Sequence, residues 1–324
     1  MKKILLLLFI PIISFGQNDF IGSIEKFSNE IDEFFSKDSK IEIIAKGFSW
    51  SEGPVWSKKL NAVLFSDVPK NVIYKWDETN GLEIFLDKIG YSGVVPNLKK
   101  AGTNGLTIDK EGNLIICMHG DRRIVKLKDW NSNEFVPLAI SFNNKLFNSP
   151  NDLVYNSSKD LFFTDPPYGL KHGDNDKLKE LDYNGVFKLG SNGKLSVLIK
   201  NLSRPNGIAI SRDEKLLYVA NSDLNNPVIM KYQITNEGVK NPEVFFDGSV
   251  LSKKDKGLFD GLKIHPSGTV FATGPGGVLL IKSNGNHIGT IRTEVRSANC
   301  AFDDKYEYLY ITSHQYLTRI KLIN

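Results

Sequence analysis

Residues 206–221 read NGIAISRDEKLLYVAN. An amide residue leads, a short apolar run follows, a polar turn intervenes, and a β-rich run closes the unit. The same pattern opens at Glu52 (EGPVWSKKLNAVLFSD), Asn104 (NGLTIDKEGNLIICMH), Asn151 (NDLVYNSSKDLFFTD), Asp260 (DGLKIHPSGTVFATG) and Asn299 (NCAFDDKYEYLYITS). Copies spaced by roughly 40 to 55 residues, each with about four strands, describe propeller blades. The second copy predicts its strands most clearly, at 105–108, 114–118, 123–128 and 135–140. VIYKWD, IVKLKD, GVFKLG, VIMKYQ and GVLLIK recur as third strands, with alternating apolar positions suited to packed sheets. The sixth copy runs out at the chain end without a fourth strand. Residues 41–47 (IEIIAKG) have no other partner, so they are expected to supply it and close the ring, which also removes the exposed edges. A barrel or a pair of sandwiches does not account for six copies. The fold class is therefore all-β: a six-bladed β-propeller of four-stranded antiparallel blades over 40–324, with a short N-terminal helix.

The helix is expected within 17–39, because Phe20, Ile24, Phe27 and Ile31 fall at helical spacing. Residues 1–16 read as a signal peptide. Lys2 and Lys3 precede an apolar stretch too short to span a bilayer, and small residues come before Gln17. The expectation is an exported chain, periplasmic or secreted, with no membrane attachment after cleavage. Lys2 and Lys3 supply two of the four net positive charges, and the remainder is no footprint for nucleic acid. Cys117 and Cys300 lie inside β-runs of different repeats, where a buried free thiol fits better than a disulfide. Neither belongs to a metal-binding CxxC.

In each repeat the first strand leaves its leading residue and the second returns to the same face. One face should therefore collect Glu52, Asn104, Asn151, Asn206, Asp260 and Asn299, with Asp67, His119, Asp165 and Asn221 at the second-strand ends. Asn or Asp before Gly is also a good turn former, so any single copy is a weak signal. Together, Glu52, Asn206 and Asp260 offer a hard, oxygen-only donor set for one divalent cation such as Ca²⁺, Mg²⁺ or Mn²⁺. A cation there would polarise a carbonyl and activate water, which suits ester or lactone hydrolysis. His119 is the candidate for acid–base work, or else a wall residue. Pro166 and Pro167 stiffen the loop after Asp165, and Tyr168 beside them is placed to wall a pocket mouth. A GxSxG elbow, a Walker loop and a dinucleotide fingerprint are all missing from the sequence.

These motifs resemble the gluconolactonase / senescence-marker-protein (regucalcin) family, above all its bacterial gluconolactonase branch. The likeness rests on EGPVW, TNGLTID with CMHGDRRIV, SPNDLVY with FTDPPYGL, RPNGIAIS with LYVANSD, and FDGLKIHPSG, and it spans about residues 40–322. The resemblance implies a six-bladed propeller with one divalent cation in its channel, Ca²⁺ first and Mg²⁺, Mn²⁺ or Zn²⁺ as alternatives. The implied ligands are Glu52, Asn206 and Asp260. Asn151 would contact substrate or metal-bound water, and Asp260 would activate water. Where many members carry an Arg before the third-blade Asn, this chain has NNKLFNSPND, with Lys145 in that stretch, and Lys is not equivalent to Arg at a bidentate site.

The expected activity is opening of a sugar lactone, gluconolactone-like, with Asp260 or His119 as base. Asn151, Asn104, Asp165, Tyr168 and Lys145 form the expected substrate contacts. The partner is a small lactone or ester, and the protein a monomer or dimer. The rival readings are a non-catalytic sugar- or protein-binding propeller, an esterase for other lactones or aryl esters, and a metal-free propeller enzyme.

Overall fold

The computed structural model describes residues 19–93, 99 and 101–323. The signal peptide expected over 1–16 lies outside the described residues. Among the described residues, six antiparallel sheets of four or five strands follow one another along the chain as blades. Blade 1 comprises Ser51–Ser57, Ala62–Asp67, Val72–Asp77 and Gly81–Asp87. Blade 2 comprises Leu106–Ile108, Leu114–Met118, Arg123–Leu127 and Phe135–Ala139, close to the four strands expected from its sequence. Blades 3, 4 and 5 open with Leu153–Tyr155, Pro205–Ile210 and Leu262–Ile264. Blade 6 takes Asn299–Phe302, Tyr308–Ser313 and Tyr316–Lys321 from the chain end, and Ile41–Lys46 completes it as expected. The innermost strands touch in order around the axis, and the last touches the first.

A blade is covered on both faces, so its middle strands read as continuous apolar runs. Leu114–Met118 is buried at every position. Because successive side chains point to opposite faces, Leu114, Ile116 and Met118 join Leu64 and Ile73 of blade 1, while Ile115 and Cys117 join Leu153, Phe163 and Phe187 of blade 3. Apolar clusters of this kind fill the seams between neighbouring blades. Both cysteines are buried and free.

The N-terminal segment differs from the helical stripe. Its helix is a single 3-10 element, Asn29–Glu33. The residues before it are strands: Asp19–Phe20 pairs with Ile41–Lys46 outside blade 6, and Ser23–Lys26 pairs with His287–Arg292 outside blade 5. Phe20 and Phe27 are exposed, while Ile31, Phe34 and Phe35 are buried against the seam between blades 5 and 6. Free sheet edges outweighed a local periodicity.

The glycines after the leading residues have a role that turn chemistry did not reveal. A Cβ on Gly105 would lie 2.3 Å from the Asn151 carbonyl oxygen, and one on Gly207 would lie 2.0 Å from that of Asp260. Their N–H groups donate to those same oxygens at 2.7 and 3.0 Å. Each Asn–Gly pair is therefore a point of close approach between blades, which only glycine permits. This contact fixes the leading residue of one blade against that of the next.

Candidate active site

A cavity of about 930 Å³ opens on the face where the leading residues gather. Glu52, Asn104, Asn151, Asn206 and Asp260 line it, together with His119 and Tyr168. Asn299 is not in the lining. It sits below, where its Nδ2 donates to Asp152 (3.3 Å) and its Oδ1 accepts from Lys263 Nζ (3.1 Å).

The residues ending the second strands explain how the site is held. Asp67 accepts from the backbone N–H groups of Ser49 and Trp50, just before Glu52. Asp165 accepts from Asn148 and Ser149 N–H, both at 2.7 Å, just before Asn151. Asn221 accepts from Arg204 N–H at 2.8 Å, just before Asn206. In three blades the same position anchors the loop that carries the leading residue. Asp165 is thus a positioning residue behind the wall, not a substrate contact. Burial pushes its pKa up to about 7, against the pull of the two N–H donors. Lys145 is also no substrate contact: it lies in a short ribbon, Lys145–Leu146 with Ser141–Phe142, exposed and outside the cavity lining.

His119 breaks that series. The blade 2 residue equivalent to Asp165 is Met118, not His119 as the sequence suggested; His119 follows it by one residue, and its ring lines the cavity. Its Nδ1 lies 3.0 Å from the Pro150 carbonyl oxygen, an acceptor that requires the proton on Nδ1. Nε2 therefore keeps a lone pair. Burial lowers the ring's pKa to about 4, so the imidazole is neutral near pH 7. Tyr168 forms part of the wall, with its hydroxyl donating to the Ser222 carbonyl oxygen (3.0 Å). Pro166 and the 3-10 turn Pro167–Gly169 set its position, and Ser149 Oγ, accepting from Gly169 N–H at 2.8 Å, ties the turn to the Asn151 loop.

At the floor, Glu52 accepts from Gly53 N–H at 2.8 Å. Its pKa is raised, first by burial and then by the charge of Asp152. Asp260 is pushed well above the carboxylate range by burial and by Glu52 and Asp152 nearby. Asn104 Oδ1, Asn206 Oδ1 and Asp260 Oδ1 are buried with no hydrogen-bond partner. An orphaned buried oxygen costs roughly 1–3 kcal/mol, and three of them beside crowded carboxylates form a set short of positive charge. No trio of His, Cys, Asp or Glu among the described residues is arranged to hold a metal. A cation here would need the amide oxygens as well as Glu52 and Asp260, and such an oxygen-only set suits a hard divalent ion.

Sequence reasoning missed Asp152 and Lys263, 3.9 Å apart beneath the floor. It also missed Trp50, Lys99 and Arg296 in the lining. Asp152 follows Asn151 directly and has no counterpart carboxylate in the other copies that would mark it out. Trp50 could have been found as the counterpart of Arg204, two residues before a leading position.

Residues 50–315 match the family model described as the SMP-30/Gluconolactonase/LRE-like region. A gluconolactonase of Zymomonas mobilis is 37% identical over 308 residues, 93% of this chain and 86% of that protein. The structure of a gluconolactonase from Xanthomonas campestris superposes with a TM-score of 0.82 at 25% identity, covering 95% of this chain and 98% of its own. A calcium-binding protein, regucalcin, from Agrobacterium tumefaciens shares the fold, with a TM-score of 0.65 at 15% identity over 86% of this chain and 93% of its own. On the match across the whole ring and the extent of the Zymomonas identity, the chain belongs to the SMP-30/gluconolactonase/LRE-like family.

Proposed function

We propose that this protein is a divalent-cation-dependent lactonase that opens a sugar lactone, gluconolactone-like, to its hydroxy acid. The observation that carries the reading is the trio of orphaned oxygens from Asn104, Asn206 and Asp260 beside Glu52, at the floor of a cavity large enough for a sugar. Family membership and the Zymomonas relative support the substrate class. Glu52, Asn206 and Asp260 would hold the cation, Ca²⁺ in preference to Mg²⁺, Mn²⁺ or Zn²⁺ given oxygen-only donors. When bound, such an ion acts as a Lewis acid toward a carbonyl oxygen and lowers the pKa of water.

The remaining steps belong to the chain itself. Asn104 and Asn151 present amides to the sugar hydroxyls, and the Tyr168 ring limits where the sugar can lie. Asp260 takes a proton as the water oxygen bonds to the lactone carbon. The ring C–O bond then breaks, and the proton passes to the departing alkoxide. His119, neutral with Nε2 free, accepts a hydrogen bond from water or a substrate hydroxyl, and its fixed tautomer keeps that lone pair aimed inward.

The test is hydrolysis of sugar lactones and aryl esters after chelation and after return of single ions. Loss of activity on chelation and recovery with one ion is the expected outcome. Retained activity in a Glu52→Gln, Asp260→Asn double variant would overturn the reading. Tight cation binding without turnover of any substrate would favour a binding propeller instead.

A further inference from the structure

The loops around the cavity mouth carry charge that a neutral sugar lactone cannot use. Lys253, Lys254 and Lys256 come from the connection between blades 4 and 5, which contains the short helix Leu251–Lys254. Arg296 comes from the connection between blades 5 and 6, and Lys99 from that between blades 1 and 2. All five line the cavity. Lys253, Lys254, Lys256 and Arg296 are exposed, and among the described residues none has a carboxylate within 4.0 Å. Asp255, the acidic residue within the lysine run, is bound instead to Arg292 at 2.8 Å. Lysines scattered on a surface are normally just solvated. Here three separate loops converge on one concave mouth, with the acidic groups either paired away or sunk at the floor.

We infer that the preferred substrate is an anionic sugar lactone, bearing a carboxylate or a phosphate away from the lactone carbonyl. The inference rests on the lactonase reading. A cleft lined by one sign of charge focuses the field and raises the local concentration of counter-charged ligand. Arg296 offers a planar fork matched to carboxylate or phosphate oxygens, and the lysines offer mobile point charges. With the carbonyl at the floor, an anionic substituent at the far end of the sugar reaches the rim. Rim charges act mostly on encounter and respond to salt.

The experiment compares kcat/KM of the calcium-supplied protein for glucono-1,5-lactone, its 6-phosphate, and glucaro-1,4-lactone, at low and high sodium chloride. The expected result is at least a tenfold preference for the phosphate or the carboxylate lactone over the neutral one. That preference should shrink several-fold in high salt and fall toward unity in a Lys253→Ala, Lys256→Ala, Arg296→Ala variant. The two anionic arms identify which group is read. Equal kcat/KM for neutral and anionic lactones, or a preference indifferent to salt and to the triple variant, overturns the inference. If none of the three lactones is hydrolysed, the lactonase reading fails, and equilibrium binding of 6-phosphogluconate and glucarate decides the rim separately. Salt-sensitive binding that the triple variant weakens tenfold upholds an anion-reading mouth, and no binding refutes it.

Discussion

Asp165 closes the second strand of blade 3, while His119 lies one residue beyond the equivalent position in blade 2, which is Met118, and that offset separates scaffold from chemistry. Asp165 points back at two N–H groups, and its removal leaves both buried donors unpaired. Asp165→Ala should therefore cost about 3 kcal/mol and loosen Asn151, which denaturant unfolding and a raised KM would register together. His119 points into the cavity, held by the Pro150 carbonyl. Its folded pKa, about 4, lies below the ordinary 6.5. Between those values the unfolded chain binds the proton and the folded chain does not, so this contribution to stability is lost as pH falls from 6.5 toward 4. The full effect is about 3 kcal/mol. The stability advantage of wild type over His119→Asn should shrink by about 3 kcal/mol from pH 7 to pH 4, the carboxylate titrations that the two proteins share cancelling in the comparison. Parallel curves would refute a buried neutral imidazole. The sequence listed both residues as second-strand ends, because the repeat pattern does not fix the register to one residue, and an offset of one residue is what turns a side chain the other way.

At the scale of the element, the first strands and their turns were legible because each copy repeats one apolar pattern, and Ile41–Lys46 was legible because the sixth blade lacked a strand. The N-terminal segment was not. Ile24 and Ile31 do pack inward, but Phe20 and Phe27 face solvent, and the helical spacing among the four is coincidental. Two short strands formed because the outer edges of blades 5 and 6 offered unpaired backbone, something no local window contains. The segment then lays Ile31, Phe34 and Phe35 over the seam between blades 5 and 6, and Ile323 N–H bonds to the Phe34 carbonyl. Phe34 touches Phe271 and His265 edge-on. Phe34→Ala should destabilise by about 3–5 kcal/mol, a loss larger than an appended tail would give. Thermal unfolding measures it, and a change under 1 kcal/mol would mean that the strap adds nothing to ring closure.

For the whole molecule, ring closure is what creates the site, and this sets the limit of sequence reading. Glu52, Asn206 and Asp260 were legible as equivalent positions in a repeat. Asp152 and Lys263 were not, because only the closed ring brings blades 3 and 5 together on the axis; the rim likewise comes from loops that do not repeat. The same geometry makes the cation a matter of global stability, since its proposed ligands come from blades 1, 4 and 5. Without an ion, the folded pKa values of Glu52 and Asp260 are raised first by burial and then by neighbouring carboxylates, Asp152 for Glu52 and both Glu52 and Asp152 for Asp260. A raised carboxylate pKa means stability that is complete below about pH 4, the unfolded range, and lost as pH rises through the folded values. In chelator, wild type should therefore weaken from pH 5 to pH 8. Glu52→Gln, Asp260→Asn, which has no such charges to bury, should be the more stable protein at pH 8, by about 1–3 kcal/mol. Calcium at a thousand times its dissociation constant should add about 4.1 kcal/mol to wild type and nothing to the double variant. The order of stability then reverses between chelator and calcium. Unfolding of both proteins at pH 8 in each condition tests this directly, and an order that does not change would mean that the floor carboxylates are not cation ligands.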